Sequence, residues 1–95
     1  MHEKFSSMKL GSLFAAILSL ETEDECYAFF DDLCTVQELK AISQRLEVAR
    51  MLAAGRVFND IAAQTGASTA TISRVNRALN YGSGGYRLVF GKQGK

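Results

Sequence analysis

The sequence predicts an all-α fold of about five to six helices. Apolar residues recur every three or four positions along most of the chain, as they do on the buried face of a helix. The 95 residues include no proline, the residue that most strongly interrupts helices. Two Thr-x-x-Glu segments, which begin at Thr22 and Thr35, have the spacing of a capping box that starts a helix. Together these observations predict a helical domain.

The first three predicted helices follow one another with short connections. One covers Met8 to Leu20, with its apolar stripe at positions 10, 13, 14, 17 and 18. The next begins at Thr22, and its apolar face consists of Cys26, Tyr27, Phe29, Phe30 and Leu33. The third and longest begins at Thr35 and ends at Gly55. Its predicted core stripe consists of Leu39, Ile42, Leu46, Ala49 and Ala53.

Residues 58 to 79 predict a helix-turn-helix. Ile61 and the small Ala62 lie on the inner side of the first motif helix, and Gly66 follows as a left-handed C-cap. Ser68 is placed to cap the second motif helix. That helix has a buried stripe of Ile72, Val75 and Leu79. The alternative is an ordinary helical hairpin in which the glycine is only a C-cap, but the combined spacing favours DNA binding.

The outer face of the second motif helix contains the predicted DNA contacts. Thr69, Ala70 and Ser73 lie on its early part, where side chains meet base edges. None is a long bidentate reader, so we expect contacts through water, thymine methyl groups and DNA shape. The residues expected to hold phosphates are Ser68, Arg56, Arg74 and Arg77.

The charges are divided unequally along the chain. Residues 1–55 contain five Lys/Arg against nine Asp/Glu, a net charge of −4. Residues 56–95 contain six Lys/Arg against one acidic residue, a net charge of +5. Because the basic half contains the helix-turn-helix, double-stranded DNA is the expected partner.

The composition indicates an oligomeric state and argues against membrane proteins, enzymes and metal-binding proteins. A monomer this short has difficulty in burying the apolar surface of a chain that is 47% hydrophobic, so we expect a homodimer with much of its interface in the first two helices. No apolar run is long enough for a membrane span and no signal peptide is evident, which predicts a cytoplasmic protein. The only His is His2, and no nucleophile has a base at readable spacing, so no enzyme, catalytic residue or metal site is predicted. Cys26 and Cys34 are expected to be buried, reduced thiols.

The chain end has a different composition. Residues 1–81 are expected to form a single helical domain, followed by a glycine-rich loop and basic tail at 82–95. Within that end, the segment from Tyr86 to Phe90 is expected either to be extended or to dock on the core.

Residues 30 to 80 resemble the tryptophan-repressor superfamily, and the full length is similar to its YerC/YecD-type branch. The resemblance rests on Leu39 to Gly55, Asp60-Ile61, Gly66-Ala67 and the more specific stretch Ala70-Thr71-Ile72-Ser73-Arg74. It implies a tryptophan-repressor-type fold in an intertwined homodimer, with paired motif helices that reach successive major grooves.

The resemblance also implies an effector site. In the family a corepressor lies between two arginines, which match Arg45 and Arg74, and Thr35 matches a threonine near the amino-acid end of the ligand. The family glycine after the second arginine is Val75 here, and the family serine four residues after it is Ala78. We therefore expect no cofactor and no tryptophan binding, and an effector, if one exists, of another kind. The alternative roles for the arginines are pairing with Glu38 or Glu47, or phosphate contact.

The sequence thus predicts a sequence-specific transcriptional regulator of the repressor type that acts as a homodimer through its helix-turn-helix. The alternative is a dimeric protein-interaction module that uses the same fold without specific DNA binding.

Overall fold

The computed structural model describes residues 8–94. Within this range the backbone forms six helices and no strand. In chain order they are α1 (Gly11–Leu18), α2 (Glu23–Leu33), α3 (Val36–Ala53), α4 (Phe58–Thr65), α5 (Thr69–Tyr81) and α6 (Gly85–Gln93). The predicted fold class and number of helices are confirmed. None of these six helices is long and apolar enough to cross a membrane.

The chain divides into two compact units, Met1–Leu39 and Lys40–Lys95. The first contains α1, α2 and the start of α3, and the second contains the rest of α3 with α4, α5 and α6. No described residue of the first unit is buried. Its aromatic pair, Phe29 and Phe30, packs edge to face with ring centroids 5.4 Å apart. The core of the fold therefore lies in the second unit.

The predicted capping box at Thr35 is complete, and the one at Thr22 forms in part. The hydroxyl of Thr35 accepts the Glu38 backbone N–H at 3.1 Å, and the Glu38 carboxylate accepts the Thr35 N–H at 2.8 Å. The backbone bond from Thr35, followed by its side-chain bond, holds the pKa of Glu38 below its ordinary value of 4.5, because both favour the ionised form. At α2, Thr22 accepts the Glu25 N–H at 3.1 Å, whereas the Glu25 carboxylate accepts the N–H of the residue before the cap.

Three helices and the motif turn build the core of the second unit. The buried residues are Val48, Ala49 and Met51 from α3, Ile61 from α4, Ala67 from the turn, and Ile72, Val75 and Leu79 from α5. Ala62 is half-buried and packs against this cluster. The inner faces predicted for both motif helices are therefore confirmed.

Two other predicted apolar faces are not covered. In α3 only Ala49 of the predicted core stripe is buried, and Ile42, Leu46 and Ala53 are exposed. Periodicity identifies an apolar face but not what covers it, and the core of this unit packs on the neighbouring side of α3. Cys26 is exposed and Cys34 is half-buried as free thiols, so the expectation of buried cysteines is wrong. The reason is that α2, which contains Cys26 and has Cys34 as its C-cap, buries none of its residues.

The expected loop and tail at 82–95 is wrong over residues 85–93, which form α6, while Lys95 lies outside the described residues. Tyr86 and Phe90, one turn apart, stack with centroids 6.1 Å apart and pack against the core. The Arg50 guanidinium lies 4.9 Å from the Phe90 ring centroid and donates to the side-chain oxygen of Gln93 at 2.6 Å. An aromatic pair with a surface to bury against thus outweighs the low helix propensity of the surrounding glycines.

Candidate nucleic-acid interface

The turn between α4 and α5 is built around Gly66. This residue has φ 73° and ψ 6°, the left-handed conformation, and donates its N–H to the carbonyl of Ala62 at 2.9 Å. A Cβ placed on Gly66 would meet no atom within 4 Å. Glycine is therefore favoured here by the backbone conformation and not by lack of space. The predicted C-cap is confirmed.

Ser68 begins α5 in the predicted way. Its hydroxyl oxygen accepts the backbone N–H of Thr71 at 3.1 Å and lies 3.1 Å from the Thr71 hydroxyl. This bond satisfies one of the backbone donors that a helix start leaves free. Ser68 therefore has a structural role, and any phosphate contact it makes shares the same hydroxyl.

A hydrogen bond from α3 holds the end of α4, and the sequence does not predict it. The side-chain amide of Gln44 donates to the carbonyl of Thr65 at 3.1 Å. The Thr65 hydroxyl donates to the carbonyl of Ile61 at 2.7 Å and accepts the N–H of Ala67 at 3.1 Å. These bonds satisfy polar groups on both sides of the turn. Gln44 lies on a polar side of α3, and nothing in its spacing shows that it reaches another helix.

The side of α5 opposite the core is solvent-exposed. Ala70, Ser73, Arg74 and Arg77 line a shallow depression of about 240 Å³ on this side, and Thr69 is exposed at its start. The side chains are small and polar in the first turns and positively charged further along. The structure thus brings the residues predicted to contact DNA from α5 onto one accessible face.

Arg56 lies apart from this face in sequence, in the connection between α3 and α4. One of its guanidinium nitrogens is 3.7 Å from a carboxylate oxygen of Asp60, and both side chains are exposed. An exposed ion pair of this kind contributes little, typically about 0–1 kcal/mol, so it leaves Arg56 able to exchange its partner for a phosphate.

The three residues matched to the effector site have different surroundings. Thr35 is occupied by the capping box of α3. Arg45 is exposed, and Arg74 lines the depression on α5; neither forms an ion pair within residues 8–94. Val75 is only 2% exposed and belongs to the core cluster.

Ala78 lines a second, apolar depression of about 470 Å³. Its other lining residues are Leu46 of α3, Tyr86 and Val89 of α6, and Ser83 and Gly85 near the start of α6. Ala78 therefore presents a methyl group to an apolar surface where a serine would present a hydroxyl.

Comparison with known proteins identifies the family. Residues 8–94 match the family model described as Trp repressor protein. The chain belongs to the Trp repressor family. It is 54% identical over 87 residues to the YerC protein of Bacillus subtilis (strain 168), an alignment that covers 92% of this chain and 84% of that protein.

Two solved structures share the fold of this Trp repressor family member. A TrpR-like protein from Eubacterium eligens ATCC 27750 is 56% identical, with a TM-score of 0.91 over 96% of this chain and 94% of the other. A proposed Trp repressor from Staphylococcus aureus is 48% identical, with a TM-score of 0.91 over 99% of this chain and 94% of the other. The family is one of DNA-binding regulators and not of enzymes. The individual contact residues remain predictions.

We predict that Gly66→Ala lowers the free energy of unfolding by about 1–2 kcal/mol, because a Cβ in the left-handed region is strained. The matched control is Gly91→Ala within α6, where a Cβ meets no atom within 4 Å and φ is not positive. Since alanine is the better helix former, this control is expected to stabilise by roughly 1 kcal/mol. Urea unfolding of both variants measures the difference; two changes of the same sign would contradict the assignment of Gly66.

Proposed function

We propose that this member of the Trp repressor family is a cytoplasmic, homodimeric repressor of transcription that binds specific DNA sequences through α5. The observation that carries the proposal is the division of α5 into two sides. Ile72, Val75 and Leu79 are buried, while Ser73 and Arg77 face solvent on the other side. A helix held in this way presents the same side chains to any duplex that it meets.

The charge of the sequence that follows Asp60 supports DNA as the partner. No Asp or Glu occurs after Asp60, whereas the same stretch contains Arg74, Arg77, Arg87, Lys92 and Lys95. The exposed guanidinium groups of Arg74 and Arg77 therefore have no carboxylate nearby in sequence with which to pair. Phosphate groups supply the missing negative charge, and their neutralisation releases counterions from the duplex.

We assign the preference for particular DNA sequences to the early part of α5. Thr69, Ala70 and Ser73 are exposed and too short for the bidentate contacts by which arginine reads guanine. Small side chains let the helix backbone approach the groove closely. We propose that they read the sequence through bridging water, thymine methyl groups and groove shape.

We predict that Arg77→Ala weakens binding to all duplexes nearly equally, because it removes the positive charge that neutralises a phosphate. The slope of log affinity against log salt should become shallower by about 0.9 for each phosphate that the variant leaves without a cation. Ser73→Ala should instead change which sequences are preferred in a selection from random duplexes. Lys40→Ala, an exposed charge on α3, is the control for a change in net charge alone.

A changed preference with an unchanged salt slope for Arg77→Ala would show that the two sides of the face are assigned wrongly. If the wild-type chain binds no duplex with measurable salt dependence, the DNA proposal itself fails. In that case the protein-interaction module becomes the better account of the fold.

The apolar residues left uncovered support a homodimer. No described residue of the first unit is buried, although Phe14, Leu18, Tyr27 and Leu33 are large and apolar. In the second unit the depression beside Leu46 is almost entirely apolar. A second copy would remove such surfaces from water, which contributes roughly 25 cal/mol for each Å² of apolar area buried.

We predict that sedimentation at micromolar concentration gives twice the 10.4 kDa chain mass. Leu18→Glu, which places a charge on the apolar stripe of α1, should shift the protein towards the monomer. Ala15→Glu, on an exposed position of α1 outside that stripe, should not. A folded wild-type monomer at this concentration would refute the dimer.

We further propose that the chain binds no tryptophan. Where the family pattern has glycine, Val75 fills core space, and its branched side chain has little rotamer freedom in a helix. Where the family pattern has serine, Ala78 offers no hydroxyl to the amino group of a ligand. Any effector is therefore a different molecule, with an anionic group suited to Arg45 or Arg74.

We predict that L-tryptophan at millimolar concentration gives no binding heat in calorimetry and leaves DNA affinity unchanged. The double variant Val75→Gly/Ala78→Ser restores the family pattern and should bind tryptophan more tightly than the wild type. Its unfolding must be measured in parallel, since glycine within a helix costs about 1 kcal/mol before any loss of packing. Micromolar binding by the wild-type chain would disprove the steric argument.

A further inference from the structure

A chain of hydrogen bonds links α6 to the far end of α5. The side-chain amide nitrogen of Asn80 donates to the backbone carbonyl of Asn76 and to its side-chain oxygen, each at 2.9 Å. The side-chain oxygen of Asn80 accepts from a terminal nitrogen of Arg87 at 3.2 Å. Three polar side chains therefore form one connected group, in which Arg87 carries the only charge.

The orientation of the Asn80 amide follows from its partners. A guanidinium can only donate, so the Asn80 oxygen must face Arg87. A backbone carbonyl can only accept, so the Asn80 nitrogen must face Asn76. Because both ends of the amide are determined, Asn80 holds the guanidinium at a defined place.

Helix α6 is itself fixed, so Arg87 starts from a fixed backbone. Tyr86 and Phe90 pack against the core on either side of Arg87 in sequence. Arg50 of α3 contacts both the Phe90 ring and the side chain of Gln93. These contacts on the first and last turns of α6 leave Arg87 on an exposed side of the helix.

Asn80 brings Arg87 to the side of α5 that faces away from the core. It is exposed and lies seven residues after Ser73 and three after Arg77, which is the helical spacing of one face. Arg87 thus lies at the carboxyl end of the same surface that Thr69 begins. No acidic residue occurs in the sequence between Thr69 and Arg87.

The charge of Arg87 is not neutralised by any residue that the structure describes. It takes part in no ion pair within residues 8–94, and no Asp or Glu occurs anywhere after Asp60. A guanidinium has five N–H donors, and the bond to Asn80 uses one of them. The remaining donors of this exposed group match the oxygens of a phosphate.

We propose that Arg87 contacts a DNA phosphate and so extends the interface from the helix-turn-helix onto α6, with Asn80 as a positioning residue. The inference rests on the proposed DNA binding by α5. It adds a contact from a helix outside the motif, beyond the end of the recognition helix. It also gives Asn80 and Asn76 a role that needs no contact with a base.

The test compares Arg87→Gln with the wild-type protein on a random-sequence duplex. Glutamine keeps an N–H donor for Asn80 but has no charge. If the bond between Arg87 and Asn80 were only structural, the variant would bind DNA as the wild type does. If Arg87 neutralises one phosphate, the salt slope of the variant becomes shallower by about 0.9. On going from 50 to 200 mM salt, the wild-type affinity then falls roughly threefold to fourfold more than that of the variant.

Lys92→Gln is the matched control, since it removes one charge from the same helix five residues further along, on another side. Its salt slope should equal that of the wild type. Asn80→Ala should weaken binding in the wild-type background and have little further effect in the Arg87→Gln background, because coupled residues are not additive. An equal effect of Asn80→Ala in both backgrounds would overturn the positioning role.

Other outcomes separate this inference from the function on which it rests. If the wild-type protein binds duplex but Arg87→Gln keeps the full salt slope, Arg87 does not neutralise a phosphate and the inference fails alone. If Arg87→Gln instead dissociates the dimer, its counter-charge is an acidic residue of a second copy, and the inference is again overturned. If neither wild type nor variants bind duplex, the proposed function has failed first.

Discussion

The arrangement of the candidate interface depends on the burial of one stripe of α5. Ile72, Val75 and Leu79 lie in the core, and each such side chain contributes about 1.5–3 kcal/mol when removed from water. A rotation of α5 that buried Ser73 or Arg77 would lose this contribution. It would also place an unpaired polar or charged group in the core, at a cost of several kcal/mol for the charge. The burial of the inner stripe therefore determines which residues of α5 are exposed.

Burial of the stripe fixes the rotation of α5 about its axis, and the turn before α5 fixes the direction in which the helix runs. Gly66 turns the chain in a conformation that other residues adopt only with strain, and the polar groups beside it are satisfied by Thr65 and by Gln44 of α3. Helix α3 holds the turn through Gln44 and also contributes Val48 to the core cluster that contains Ile72 and Val75 of α5. Most of this support lies within residues 40–94, so the candidate interface belongs to one compact unit.

The motif could be predicted because its signals are local in sequence. Features that depend on contact with a second helix could not be predicted. Caps, the left-handed glycine and the α5 stripe each depend on residues within one or two turns, and all are present. The α3 stripe at Ile42 and Leu46 was predicted as core but is exposed, since periodicity does not identify the surface that packs against a helix. Helix α6 was not predicted because its glycines suggest a loop, whereas the packing of Tyr86 and Phe90 against the core favours a helix. Gln44 has no local signal at all.

The burial of Val75 underlies the proposal that the chain binds no tryptophan. The residue packs within the core and is 2% exposed at the position where the family pattern has glycine. An effector shifts an equilibrium only by as much as it prefers one state over another. With α5 held by its own side chains, a ligand gains little by ordering that helix. We therefore propose that any regulation of DNA binding acts on something other than the packing of α5, such as the charge of its outer face or the association of two copies.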